Sequence, residues 1–395
     1  MQIVTSPGAA SRAAPVGPAV VDVLAYGREQ IRRAAAEEWS GTEVVLTSHV
    51  PSVTGYVHRL RVGGRELYGK CSFLGVSLVS LLRGTCGDWP QVLRAQAEYV
   101  ACPDCLLARE AAQLRFLARL DRPAVCGVAA FRNGVLFTEP VSGSTLADLM
   151  VSSPGNVAEL LAMSLEQLRG LHQPYAVRRL SRDSDIAERD IAATFDRKFH
   201  GQGGRKSGCW EDLPPTLRQA VTRLDRMRPA VLPATCPTLV YGDLKPEHVV
   251  VADSGRPVFL DPGLMRARAS VDTAKLVSRT VLLLAASRPG GRAARQATEG
   301  LGAFVESRLG LLPRQERAEW LCELLTLWLM DTGNILTTYL AAPSVLPLPV
   351  RAAALVRRAD AVCAFLDAAA ADLTGQPSPR RAWERVLAHA EEVAS

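Results

Sequence analysis

Two aspartates and a lysine in the stretch Tyr241–Gly263, YGDLKPEHVVVADSGRPVFLDPG, are the residues whose types and spacing best suit chemistry. Val249–Val251 and Val258–Leu260 are β-branched or apolar, and Asp253-Ser254-Gly255 between them is a turn signal. Pro257 falls at the start of the second strand, where a missing N–H is tolerated. A hairpin of this size brings both its ends to one edge of a small sheet. Asp243, Lys245 and Asp261 are therefore expected around one point in space. Such a set suits phosphoryl transfer. One carboxylate can orient an acceptor hydroxyl and take its proton. A second can hold the magnesium ion that bridges the phosphates, and a lysine beside the first can offset charge that develops on the transferred group. The competing reading of the stretch is an ordinary buried hairpin with acids at solvent-facing turns.

GDLKPEH followed by FLDPG resembles the catalytic and metal-binding loops of the protein-kinase-like superfamily, especially of aminoglycoside-phosphotransferase-type kinases. In that family the loop runs Asp-x-x-x-x-Asn, with a later Asp-x-Gly. Asp243 takes the base position and Asp261-Pro262-Gly263 the Asp-x-Gly position. His248 stands where the family has asparagine, and Tyr241 replaces a histidine at a mainly structural position. Magnesium prefers oxygen ligands over an imidazole nitrogen. His248 therefore contacts the metal through water, holds Asp243 in place, or stands outside the metal shell. The resemblance implies an α+β, bilobal protein-kinase-like fold, with a small antiparallel-sheet N-lobe and a mainly helical C-lobe. It also implies ATP or GTP as phosphoryl donor, with Mg2+.

The elements that would position these residues follow in order. Residues 1–19, rich in Ala, Pro, Gly and Ser, read as a loosely attached arm. Val20–Glu38 has helical spacing. An N-lobe is expected over residues 20–139. Strand signals at Glu43–Thr47 and Tyr56–Val62 flank Ser48–Gly55, which in a kinase would be the nucleotide-covering loop. Gly55 is its only glycine, so the usual glycine-rich signal is weak. The next strand, Glu66–Cys71, carries Lys70. It resembles the lysine that pairs with the α/β-phosphates; a surface lysine is the plain alternative. Residues 72–105 read as an insertion in which Gly84–Pro90 is loop-like. Cys102-Pro103-Asp104-Cys105 has two of the four ligands a zinc site needs, and Cys71 and Cys86 could supply the rest. The bland reading is two thiols at a helix start. In the helix Leu106–Leu120, Glu110 lies beside the apolar stripe and resembles the glutamate that pairs with the nucleotide lysine. Gln113, nearly one turn on, has no charge with which to compete.

Val125–Ala130 and Gly134–Glu139 form a hairpin around Asn133-Gly134. The segment after it resembles the hinge whose backbone reads the adenine edge. Pro140 has no N–H, so Glu139 and Val141 are the candidate nucleotide contacts. A helical C-lobe with the catalytic loop and the acceptor site is expected over 140–395. His172 is read as a structural histidine, and Asp272 as the acid that holds the catalytic-loop backbone. Residues 174–235 carry mixed charge, and His200–Gly208 reads as a mobile loop. Helices are expected over Val271–Ser287, Ala293–Leu309, Arg314–Leu340, Val350–Leu373 and Arg380–Val393, with Pro343–Pro349 as a linker.

Composition limits the alternatives. The chain is 48% hydrophobic and can bury a large core. Its net charge of +6 is modest and spread along the chain, so no nucleic-acid partner is implied. No apolar run approaches the roughly 20 residues of a membrane span, and no signal peptide is evident. Nine scattered cysteines read as reduced thiols in a cytoplasmic protein. Aminoglycosides are polycations and usually need an acidic pocket, which a chain of net +6 does not favour. Phosphotransferases of this kind also act on Ser or Thr of precursor peptides, before a partner lyase eliminates the phosphate. That acceptor is the expectation. A small-molecule hydroxyl is the alternative, and a catalytically silent scaffold is the second class of function.

Overall fold

A computed structural model of the chain describes residues 17–180, 190–200, 213–231 and 238–395. Most of the arm expected over 1–19, the charged residues 181–189, and nearly all of the glycine-rich stretch expected at His200–Gly208 lie outside the described residues.

Helix α1 (Val20–Glu38) buries Val23, Gly27, Ile31, Ala34 and Ala35, one stripe at helical spacing. It covers an antiparallel sheet. The strands β1 (Val44–Val50), β2 (Tyr56–Val62) and β3 (Arg65–Cys71) are joined in sequence. In β2 and β3 the buried side chains alternate, as expected for strands with one face on a core. Strand β1 runs three residues further than expected, so the loop to β2 is only residues 51–55. Two helices follow, α2 (Leu78–Leu82) and α3 (Trp89–Ala101). The second starts at Trp89, inside the stretch Gly84–Pro90 that reads as loop-like. Its signal lay in Asp88, whose carboxylate accepts from the Gln91 N–H while the Gln91 side chain accepts from the Asp88 N–H.

After α4 (Leu106–Ala118) come β4 (Ala124–Val125), β5 (Val128–Arg132) and β6 (Val135–Thr138). Strands β5 and β6 complete the first sheet in the order β1-β2-β3-β6-β5. Strand β4 instead pairs in parallel with a later strand, so the expected hairpin loses its first residues to another sheet. The short β7 (Ser144–Thr145) leads into α5 (Leu146–Ser152), α6 (Val157–Leu168), α7 (Pro174–Leu180), α8 (Ile191–Phe199) and α9 (Pro215–Val231). Strand β8 (Leu239–Val240) precedes the hairpin β9 (Val249–Val251) and β10 (Pro257–Phe259), and β11 (Met265–Arg266) pairs back onto β8. The order β4-β10-β9-β7 gives the hairpin its own small sheet.

Helices α10 (Ser270–Ser287), α11 (Gly291–Gly310), α12 (Arg317–Leu340), α13 (Val350–Arg357), α14 (Ala359–Gly375) and α15 (Pro379–Ala394) finish the chain. An antiparallel sheet thus precedes a mostly helical remainder, the α+β arrangement expected. The single helix expected over Val350–Leu373 is two. The break falls at Arg358, whose guanidinium donates to the Ala285 and Val393 carbonyls.

The proline-rich segment at 343–349 is more than a linker. Leu346 is 4% exposed and belongs to the core beneath the first sheet, with Leu78, Val79 and Leu82 of α2. The segment therefore straps the chain's last third to its N-terminal core. Leu346→Ala is expected to destabilise the protein by about 2–5 kcal/mol, through lost burial and a residual cavity. Urea unfolding followed by tryptophan fluorescence measures this; an unchanged midpoint would mean that the strap is not holding.

Candidate active site

The hairpin brings the two carboxylates together. Val249 faces Phe259 and Val250 faces Val258, and the Leu260 N–H donates to the His248 carbonyl at 2.8 Å. The two loops at the open end are tied as well. The Gly263 N–H donates to the Tyr241 carbonyl at 3.1 Å, and the buried Tyr241 Oη donates to the Leu260 carbonyl at 2.9 Å. Gly242 has φ +80°, and a Cβ there would sit 2.1 Å from the Gly263 carbonyl oxygen, so only glycine fits between the loops. Asp261 itself has φ +52°, a left-handed conformation that aspartate tolerates and that often marks functional sites.

A buried carboxylate fixes the first loop from below. Asp272, fully buried on α10, accepts from the Tyr241 and Gly242 N–H groups at 2.8 Å each. His172 Nε2 lies 2.9 Å from the same carboxylate. Both residues therefore have the structural place that the sequence suggested.

Lys70 comes from β3, whose other face is buried. Its ammonium donates to Glu110 Oε1 at 2.7 Å and to Asp261 Oδ1. On the far side, Lys245 Nζ lies 2.7 Å from Asp243 Oδ2. His248 Nδ1 is 3.3 Å from Asp261 Oδ2 without hydrogen-bond geometry, and is a buried nitrogen with no hydrogen-bond partner among the described residues. Six of the expected site residues, Lys70, Glu110, Asp243, Lys245, His248 and Asp261, are thus brought together. Gln113 was missed: its Oε1 accepts from the Leu264 N–H at 3.0 Å, so α4 holds both Lys70 and the loop after Asp261. The only signal was its position, one turn from Glu110 on the same helix.

The remaining candidates are differently placed. Glu139 donates its N–H to the Gly127 carbonyl at 2.9 Å, and its carboxylate pairs with Arg65 at 3.0 Å near the surface. Its backbone donor is therefore spent. Val141 packs on a small apolar cluster with Leu107, Ala111, Leu114, Cys126 and Leu136. A Cβ at Gly55 would meet the Cys71 carbonyl at 3.0 Å, so this glycine answers a close approach to β3. Among the described residues, no group of three or more His, Cys, Asp or Glu could hold a metal ion, and this covers the Cys102/Cys105 pair.

The family APH, phosphotransferase enzyme family, matches residues 91–312, more than half of the chain. The chain belongs to this phosphotransferase family. No curated protein matches it. Among solved structures, the phosphotransferase is similar to the aminoglycoside phosphotransferase APH(4)-Ia in a ternary complex with AMP-PNP and hygromycin B. The identity is 15%, covering 85% of this chain and 98% of that one, with a TM-score of 0.47. It is similar to a choline/ethanolamine kinase family protein from Mesorhizobium loti, at 16% identity over 92% and 99% of the two chains and a TM-score of 0.45. A Plasmodium vivax ethanolamine kinase matches at 11% identity over 86% of each chain, with a TM-score of 0.44.

The electrostatics of this candidate site keep its charges in place. Burial works against ionised Asp243, but Lys245, Lys275 and Arg279 outweigh it and hold the carboxyl well below the usual range. Burial likewise opposes ionised Asp261, and Lys70 and then His248 pull it far below normal. Burial would discharge Lys70, yet Asp261 and Glu110 hold it above the ordinary lysine value. Burial, and then Lys245, push His248 down, against the pull of Asp261 and Asp243. A divalent cation fits this corner. Asp261 supplies a hard oxygen, and the unpartnered His248 Nδ1 lies beside it. With Asp261 as the carboxylate ligand, the remaining positions would go to phosphate oxygens and water, the habit of Mg2+ at nucleotide sites.

Proposed function

We propose that the chain transfers the γ-phosphoryl group of ATP or GTP to an alcohol hydroxyl. The observation that carries this reading is the joining of the Lys70–Glu110–Asp261 network to the Asp243–Lys245 pair across one closed hairpin. Asp243 accepts a hydrogen bond from the acceptor hydroxyl and takes its proton as the oxygen bonds to the γ-phosphorus. The bond from that phosphorus to the β,γ-bridging oxygen breaks, and the nucleoside diphosphate leaves. Lys245 offsets charge on the transferred group, and Lys70, oriented by Glu110, binds the α/β-phosphates. Asp261, with His248 beside it, would hold Mg2+, which neutralises phosphate charge when bound. The Val141 N–H and the apolar cluster beneath it would take the nucleotide base.

For the acceptor, the reading is a Ser or Thr hydroxyl of a precursor peptide, with a partner lyase to eliminate the phosphate. Its support is the cationic side chains near Asp243, which suit a polycation poorly. A small-molecule hydroxyl is the alternative. One added phosphate on an aminoglycoside, and on no peptide, would establish it.

The nucleotide half is tested by binding. Lys70→Met removes a charge-assisted contact worth about 1.5–3 kcal/mol, so Mg-AMP-PNP should bind about 10–100-fold more weakly by calorimetry. Unchanged affinity would remove Lys70 from the nucleotide site.

A further inference from the structure

The charges beside Asp243 do not balance. Asp331 on α12 is buried and accepts from two cations of α10, Lys275 Nζ at 2.8 Å and Arg279 Nε at 3.1 Å. One of them would suffice to neutralise it. A third cation, Lys198 on α8, reaches the same region. Its ammonium donates to the Asn334 carbonyl and the Thr338 hydroxyl, both on α12, and among the described residues no carboxylate lies within salt-bridge distance of it. Burial, and then Arg197, push its pKa down to about 7, against the pull of Asp331. Lys275 and Arg279 are also, after Lys245, the strongest side-chain influences holding Asp243 ionised, so the group extends to the catalytic loop. Lys198, Lys275 and Arg279 thus gather on the single carboxylate of Asp331, while Lys245 is paired with Asp243 and Glu247 is the further carboxylate that Arg279 feels.

Unbalanced buried charge is costly, and an anion that seats against it recovers the cost. We propose that this surplus is an anion subsite for the acceptor. The hydroxyl delivered to Asp243 belongs to a molecule that also carries a carboxylate or phosphate group, bound by Lys198 with Lys275 and Arg279. The proposal rests on the phosphotransferase reading and narrows its acceptor to anionic alcohols, whether an acidic peptide around Ser or Thr or a small hydroxy acid.

The test uses the full chain saturated with Mg-AMP-PNP and two fluorescein-labelled peptides of equal length. Each has one serine, flanked by four glutamates in one and four lysines in the other. Anisotropy titration should show the acidic peptide binding at least about tenfold more tightly, a preference that salt weakens. Lys198→Met should remove most of that preference and Lys198→Arg should keep it. Competition by 3-phosphoglycerate would assign the subsite to small anions. Binding of the acidic peptide that resists it would assign an extended acidic segment. Equal binding of the two wild-type titrations, a preference for the basic peptide, or an unchanged preference in folded Lys198→Met would overturn the proposal. The wild-type comparison stands even if Lys198→Met does not fold. A failed phosphotransferase reading would show instead in the Lys70→Met calorimetry, which does not depend on the peptides.

Discussion

Asp243→Asn should lower phosphoryl transfer by about 10²–10⁴-fold, the range expected for a positioned base. The substitution keeps the size of the side chain but removes both the proton acceptor and the charge that Lys245 answers at 2.7 Å. Nucleotide binding should survive, because Lys70, Glu110 and Asp261 meet on the other side of the hairpin. Magnesium-dependent ADP release, measured with and without acceptor, and a thermal shift with Mg-AMP-PNP separate the two effects. Turnover that persists at the wild-type rate in Asp243→Asn would sink the assignment. Nucleotide binding by the wild type without turnover, against acidic peptides and hydroxy acids alike, would favour a scaffold.

Asp272→Ala should be the most damaging single change to the fold of the site. Its carboxylate is the acceptor for two backbone N–H groups of the catalytic loop and lies 2.9 Å from His172, all out of water. Each orphaned buried donor costs about 1–3 kcal/mol, so the loss should be roughly 3–5 kcal/mol. That is a large part of the 5–15 kcal/mol typical of whole domains, about as much as a core cavity costs. Asp272→Asn, which keeps one accepting oxygen, should lose less. Chemical denaturation midpoints measure both, and activity should fall with them because Asp243 sits on the loop that Asp272 holds. An alanine variant as stable as wild type would mean that the Tyr241 and Gly242 donors find water.

The central hairpin was legible in the sequence for a local reason. Turn residues and β-branched runs determine it over some twenty positions, and its two acids follow from its length. Lys70 and Glu110, far apart in the chain, could be placed only by their order along a familiar pattern; their contact depends on how β3 and α4 pack. The helix Trp89–Ala101 was missed because Gly84 and Gly87 before it and Pro90 in its first turn read as loop and outweighed a capping box that reads plainly once the helix is known. Gln113 was missed because a neutral amide carries no chemical signal until a backbone donor is set against it. Arg358, which replaces one helix by two, breaks no propensity rule. The carbonyls of Ala285 and Val393 that hold it come from elsewhere in the chain.

The sequence by itself determined the chemistry available at this site, because reactive groups and the turn between their strands are local properties. Tertiary structure alone decided what surrounds them. Leu346 enters a core more than two hundred residues before it in the chain. Lys198, Lys275 and Arg279 gather round Asp331 because α8, α10 and α12 pack together. Charge balance at a point is a sum over elements remote in sequence, and no local pattern records it.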